Sequence, residues 1–277
     1  MKLSLSSFVY CNYPLTDAID RVAAIGYAAI DIWGGRPHAY RRDLGLDQIK
    51  ALRKRLRQAG LAVASFIPAQ FRYPTCLCAP DDTIRGDSVA YIQDSIETAA
   101  ALEAPIVSVC PGHTLYGQGK DDGWKRLGES LDSICRFASP RGVRIAIEPA
   151  DRYESDLIQT TAQATRMIDE LGHANLGVVL DNGHAHVVGE QCASAIGEMG
   201  ARLFHVHVDD NNGLRDQHLV PGEGNFEFEA FIAVLRQSGY AGYLCAELSW
   251  DYTIDPDSAA RRTLERLSTW LEIGPTD

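Results

Sequence analysis

Eight apolar, β-branched runs punctuate the chain, at residues 3–9, 27–33, 61–67, 105–110, 143–147, 176–180, 203–208 and 243–248. Between them the apolar positions change period. Val89, Ile92, Ile96 and Ala99 fall on one face of a helix, as do Leu157, Ala164, Ile168 and Leu171. Phe228, Phe231, Ile232 and Leu235 form a third stripe, and Ala260, Leu264, Leu267 and Leu271 a fourth. The spacing from run to run leaves room for a helical crossover, which parallel strands require and hairpin-joined strands do not. Gly26, Gly60, Gly172 and Gly239 stand shortly ahead of apolar runs, where the C-terminus of a helix favours a left-handed residue.

The pattern therefore predicts eight βα units in an α/β fold. Eight units favour closure into a single (β/α)8 TIM barrel over residues 1–277, rather than an open doubly wound sheet, and a barrel of this kind takes about 250 residues. No Gly-x-Gly-x-x-Gly follows the first run to mark a dinucleotide site. The long loops follow the second, third, fourth and seventh runs, and in a barrel such loops build the active face.

Charge narrows the partners. The formal net charge is -11 and the sequence pI about 5.2, so a nucleic acid or an acidic membrane is repelled unless a local basic patch compensates. The densest basic stretch, residues 50–57, alternates with apolar residues as a solvated helix face does. No apolar span reaches 18 residues, and the expectation is a soluble, cytoplasmic protein. The 7 cysteines are odd in number and scattered through apolar runs and helical segments, as reduced core thiols are. Cys76 and Cys78 form a Cys-x-Cys in a loop-like stretch, and without a second pair nearby they read as loop packing rather than a metal site.

Four residues with metal-binding side chains end four separate runs, the last four of the eight. They are Glu148 in IAIEP, Asp181 in VVLDNGH, His207 in FHVHVDD and Glu247 in LCAELSW. A carboxylate at a strand end more often caps the next helix than binds metal. On a closed barrel, however, four neighbouring strand ends converge on one point. Three carboxylates and one imidazole favour Mn²⁺, Mg²⁺ or Co²⁺ over a thiolate-type zinc site. His205 lies two residues before His207, on the same side of the strand and one layer deeper, and reads as a hydrogen-bonded core histidine. In the loop that follows, Arg215, Asp216 and His218 are within reach of a substrate or a second metal, while VPGEG suits either a phosphate or a tight turn.

Such a centre can activate a hydroxyketone. A divalent ion on two vicinal oxygens acidifies the neighbouring C–H, and two glutamates on opposite faces can remove a proton from one side and return it to the other. A single base working between C1 and C2 gives an aldose instead.

These residues resemble the xylose-isomerase-like (β/α)8 barrels and, within them, the ketose 3-epimerases of the D-tagatose, D-psicose and L-ribulose type. Glu148, Asp181, His207 and Glu247 match that group's metal ligands in order and strand position. The resemblance implies that Glu148 and Glu247 also exchange the C3 proton, with Mn²⁺ as the foremost ion and Co²⁺ or Mg²⁺ as alternatives. It further implies that Glu154 and His184 hold the substrate near O1 and O2, and that Arg215, in a longer loop, is the nearest match to a substrate-binding arginine. The stretch IDIWGGRPHAY at residues 30–40, YES at 153–155 and HLVPGEG at 218–224 are similar to fructoselysine 3-epimerases. DNGH and Arg215 look more like the free-ketose enzymes, which leaves the substrate open between the two. Trp33 then stacks on the sugar or its appendage. A small-molecule sugar substrate and a homo-oligomer, dimer or tetramer, complete what the resemblance implies.

Nearer alternatives with the same ligand set are aldose–ketose isomerases of the hydroxypyruvate isomerase kind and inosose dehydratases. Apurinic endonucleases share the barrel and use pairs like Asp181/His184 and Asp216/His218. They need further histidines on earlier strands, whereas the third run here ends in IPAQF and His113 stands alone after the fourth.

Overall fold

The sheet closes on itself. In the computed structural model, which describes residues 1–70 and 75–272, eight parallel strands pair in chain order to form a closed barrel. They are β1 (Lys2–Ser6), β2 (Ala29–Trp33), β3 (Ala62–Ile67), β4 (Ile106–Val109), β5 (Arg144–Ile147), β6 (Leu176–Asp181), β7 (Leu203–Val208) and β8 (Tyr243–Ala246). The seam between β8 and β1 pairs Leu3 with Leu244 and Leu5 with Ala246. Part of the long loop after β3, residues 71–74, and the last five positions of the 1–277 span lie outside the described residues.

Helices cross over between strands: α1 (Leu15–Ile25), α2 (Leu46–Gln58), α3 (Asp82–Ala101), α4 (Lys120–Ala138), α5 (Thr161–Leu171), α6 (Asn182–Val188), α7 (Cys192–Met199), α8 (Phe228–Gln237) and α9 (Pro256–Glu272). Gly26 and Gly172 cap α1 and α5 in the left-handed conformation, as their positions foretold. Among the described residues, no helix is long and apolar enough to cross a membrane.

Two of the boundaries that differ from the hydrophobic pattern do so because a side chain intervenes. The first run continues to Val9, but β1 stops at Ser6, whose hydroxyl accepts the Phe8 N–H and starts a 3-10 turn over Ser7–Tyr10. Leu157 precedes α5 rather than joining its stripe. A capping box begins the helix at Thr160, whose side chain accepts the Gln163 N–H while the Gln163 carboxamide accepts the Thr160 N–H. Leu157 is buried all the same.

Strand residues that face outward, among them Leu5, Ile30, Ile32, Val107, Ile147, Val206 and Leu244, pack beneath the helices in the main core. A small separate cluster, Ile106, Ala146 and Val179, stands apart from it. Other buried strand positions are polar: Ser4, Asp31, Ser65, His205 and His207 are all fully or almost fully buried.

Candidate metal centre and active-site cavity

The barrel brings the last four strand ends together. Asp181 ends β6 and pairs in register with His207 on β7, which in turn pairs with Cys245 on β8. Glu148 and Glu247 stand one residue beyond β5 and β8, and each is pinned by one more ladder bond, from its N–H to Val109 O at 3.1 Å and to Val208 O at 3.2 Å. One ligand atom from each of Glu148, Asp181, His207 and Glu247 lies within 4.8 Å of all the others. His207 turns Nδ1 into the group, 2.6 Å from Glu148 Oε1, 3.0 Å from Glu247 Oε2 and 3.9 Å from Asp181 Oδ2.

The acids outnumber the bases here, and the electrostatics reflect it. Burial alone would lower the His207 imidazole, but Glu148 and Glu247 outweigh it and hold it well above its ordinary value. Burial pushes the Asp181 carboxyl up to about 6 against the pull of His184. Glu247 is held low: burial opposes its ionisation, and His207 overcomes it. Asp181 Oδ2 is buried without a hydrogen-bond partner among the described residues. A converging set of three carboxylates and one imidazole, with an orphaned oxygen among them, fits a hard divalent cation.

A second group of charges adjoins the first. Helix α6, capped by Asp181, carries His184, whose Nδ1 lies 3.4 Å from Asp216 Oδ2 and 3.3 Å from the Asp151 backbone nitrogen. His218 Nε2 lies 2.8 Å from Asp216 Oδ2, and its Nδ1 lies 3.2 Å from Asp209 Oδ2. Glu154 closes the group, with Oε2 at 3.9 Å from His184 Nε2. Burial would lower His184, but Asp216, Asp181 and Glu154 push it up to about 10. Burial pushes Glu154 up to about 7.

Glu148, Glu154, His184, His218 and Glu247 wall a cavity of about 470 Å³. Its other side is apolar and aromatic, with Phe8, Trp33 and Trp250 in edge contacts, ring centroids 5.1 Å apart for Phe8–Trp33 and 4.5 Å for Phe8–Trp250. No Lys or Arg is among the described lining residues. Arg215 is exposed, its guanidinium 5.8 Å from the Tyr153 ring centre, and neither residue lines the cavity. Of the eight site residues expected from the sequence, the structure thus gathers seven around this cavity and the candidate metal group, and leaves Arg215 outside the lining.

The glycine-rich turn after β7 does not face the cavity's substrate side with free N–H groups. Gly222 and Gly224 both donate to Asp210 Oδ2 at 2.8 Å, and Phe226 donates to Asp210 Oδ1 at 3.1 Å. The anion in this nest is the chain's own carboxylate. Sequence reasoning missed Asp209, Phe8 and Trp250. Asp209 was legible in principle, because it lies two residues beyond His207 and so continues its face; the two aromatics have no local signal.

A family model described as xylose isomerase-like TIM barrel matches residues 19–270. The fructoselysine 3-epimerase of Shigella flexneri is 29% identical over 274 residues, 98% of each chain. Among solved structures, D-psicose 3-epimerase from Clostridium cellulolyticum H10, with D-tagatose, superposes with a TM-score of 0.83 at 20% identity over 99% of this chain and 100% of that one. The IolI protein with a binding zinc atom does so with a TM-score of 0.83 at 21% identity, again over 99% and 100%. The fold, the four convergent strand ends and a family match over most of the length agree: the chain belongs to the xylose isomerase-like TIM barrel family.

Proposed function

We propose that the protein is a sugar epimerase that inverts C3 of a ketose or ketose derivative, with a divalent ion held by Glu148, Asp181, His207 and Glu247. Its full-length relatives are epimerases, and the chain is an enzyme of the isomerase class. One observation carries the finer assignment: Glu148 and Glu247 flank His207 Nδ1 at 2.6 and 3.0 Å, and both wall the same cavity.

An ion held there supplies the positive charge that makes a hydrogen beside a carbonyl removable. The chain supplies the proton traffic. One glutamate, as carboxylate, takes the C3 proton from one face of the sugar; the other, as carboxylic acid, gives a proton to the opposite face, and the centre inverts. Glu154 and His184, beside the two glutamates, hold the O1–O2 end of the substrate. Trp33, with Phe8 and Trp250, covers the remainder of the sugar or an appendage on it. Arg215, exposed over the Tyr153 ring and outside the lining, is assigned to the outer end of the substrate. Among the described lining residues there is no Lys or Arg, and the glycine-rich turn is already filled by Asp210, which favours an unphosphorylated substrate, either a free ketose or an amine-linked one.

Three oxygen ligands and one nitrogen favour Mn²⁺, then Co²⁺ or Mg²⁺; the zinc of the related IolI barrel supports a divalent ion in general. A cytoplasmic dimer or tetramer acting on small molecules goes with this assignment, and light scattering on the purified protein tests the assembly.

The decisive experiment incubates the Mn²⁺-loaded protein in D₂O with free ketoses and with fructoselysine. Deuterium at C3 with changed configuration is expected for one of them. Label at C1 or C2 with aldose formation would move the protein to the aldose–ketose isomerases. Glu148→Gln and Glu247→Gln should each lower turnover by about two orders of magnitude or more, and unchanged turnover in either sinks the proton-carrier assignment.

A further inference from the structure

Directly below the four ligands lies an enclosed polar layer that the proposed reaction does not use. Asp31 on β2 is fully buried, and its Oδ2 accepts the Ser65 hydroxyl and lies 2.7 Å from His205 Nε2. Its second oxygen, Oδ1, has no hydrogen-bond partner among the described residues. Above it, His207 spends Nδ1 on the metal-side carboxylates, and its Nε2 is also buried without a partner among the described residues. A carboxylate oxygen of Asp31 and a ring nitrogen of His207 lie within 4.8 Å of each other. The rings of His205 and His207 stand at 90°, centroids 5.2 Å apart.

A buried carboxylate is expensive to desolvate and is rarely left half-satisfied without a role. Nor does this layer read as a second cation site. Asp31 Oδ2 is already engaged twice, and Cys245, the fourth possible donor, directs its thiol to Ala246 O at 3.6 Å. Among the described residues the layer leaves over one acceptor, Asp31 Oδ1, one ring nitrogen, His207 Nε2, and the Ser4 hydroxyl beside Cys245, which is not among the partners of Asp31. A metal-binding histidine whose second nitrogen faces a carboxylate has its tautomer and ring orientation fixed and its ligating nitrogen made more basic.

We propose that Asp31 is a positioning residue for the metal centre: its carboxylate, held by Ser65 and His205, orients His207 with Nε2 protonated and Nδ1 presented to the ion. This rests on the metal site assigned above and adds a residue from the opposite side of the barrel to it. His205 acts only through Asp31, as one of the two groups that keep the carboxylate turned upward.

The test compares Mn²⁺ affinity by calorimetry in the wild type, Asp31→Asn and Ser4→Ala. Asp31→Asn should bind Mn²⁺ about 10- to 100-fold more weakly. Ser4→Ala alters another buried polar position of the barrel, also without a hydrogen-bond partner, and should bind as the wild type does. Equal affinity in Asp31→Asn and the wild type overturns the proposal, as does an equal loss in Ser4→Ala. If Asp31→Asn does not fold, the wild type loaded with Zn²⁺ decides by NMR. A downfield, slowly exchanging His207 Nε2 proton is expected, and a rapidly exchanging one overturns the role. A wild type that binds no divalent ion at all removes the metal site and this proposal together, whereas a failure confined to the Asp31→Asn comparison removes the proposal alone.

Discussion

Asp181 caps the helix that carries His184: its Oδ1 accepts the backbone N–H of His184 at 3.0 Å and of Gly183 at 2.7 Å. The cap fixes the side-chain rotamer, and the other oxygen, Oδ2, is thereby delivered to the metal-side group beside His207. Capping and the ligation proposed above, which compete as explanations of a carboxylate at a strand end, need not exclude each other here, because each would use a different oxygen of one residue. Gly183 is required by the same arrangement, because a methyl group on it would collide with Asp209 Oδ1.

Asp181→Asn should therefore separate the two uses. Asparagine caps about as well as aspartate, so the metal-free variant should unfold in urea within about 0.5 kcal/mol of the wild type, while Mn²⁺ affinity falls at least about tenfold. Asp181→Ala should lose about 1 kcal/mol more, the worth of the cap. Equal stability in the Asn and Ala variants would contradict the capping role.

Asp210 holds the turn that follows β7. Its carboxylate accepts the N–H groups of Asn211, Gly222, Gly224 and Phe226, all from a fully buried position. Asp210→Ala leaves these donors without their acceptor and should destabilise the protein by about 3 kcal/mol or more, read as a lowered urea midpoint. Inorganic phosphate should not bind this turn in the wild type, and a phosphate-dependent rise in its stability would show that the nest is open.

Most of the fold was legible because the hydrophobic period changes cleanly between strands and helices, and the ends of Glu148, Asp181, His207 and Glu247 follow once eight units close into a barrel. What escaped the sequence has a physical cause in each instance. Ser6 and Thr160 move element boundaries through single side-chain hydrogen bonds that no period reports. Asp31 sits inside an apolar run on β2 and finds its partners His205 and Ser65 on strands far away in sequence. Phe8 and Trp250 meet across the seam where the last unit returns to the first, a contact that exists only after closure.

Cys76 differs from the other cysteines. Its Sγ lies 3.8 Å from Cys78 Sγ, and that contact lowers the thiol to about 6. Burial raises Cys11, Cys110, Cys135, Cys192 and Cys245, while Cys78 is raised by its contact with Cys76 together with burial. Because the thiolate is the nucleophile, Cys76 should be the first thiol alkylated by iodoacetamide at pH 7, with a rate that falls as pH drops below about 6. Peptide mass spectrometry of briefly labelled protein checks the order, and prior labelling of Cys11 or Cys192 would refute it.

Glu154 predicts how stability depends on pH. Burial lifts its carboxyl from 4.5 to about 7, although His184 and His218 pull the other way. Below pH 4.5 the group is protonated in both folded and unfolded chains and contributes no difference. Between 4.5 and about 7 the unfolded chain releases a proton that the folded chain keeps, so the folded state binds more protons and stability falls as pH rises. The total is on the order of 3 kcal/mol, complete above the folded value. Glu154→Gln cannot ionise, so the variant should gain stability relative to the wild type between pH 4 and pH 8 by roughly that amount. Urea denaturation of the metal-free proteins is the measurement, because a bound cation would pull the carboxyl back down. Parallel pH dependence in the two proteins would mean that Glu154 ionises freely in the folded state, and would remove it from the enclosed group around His184.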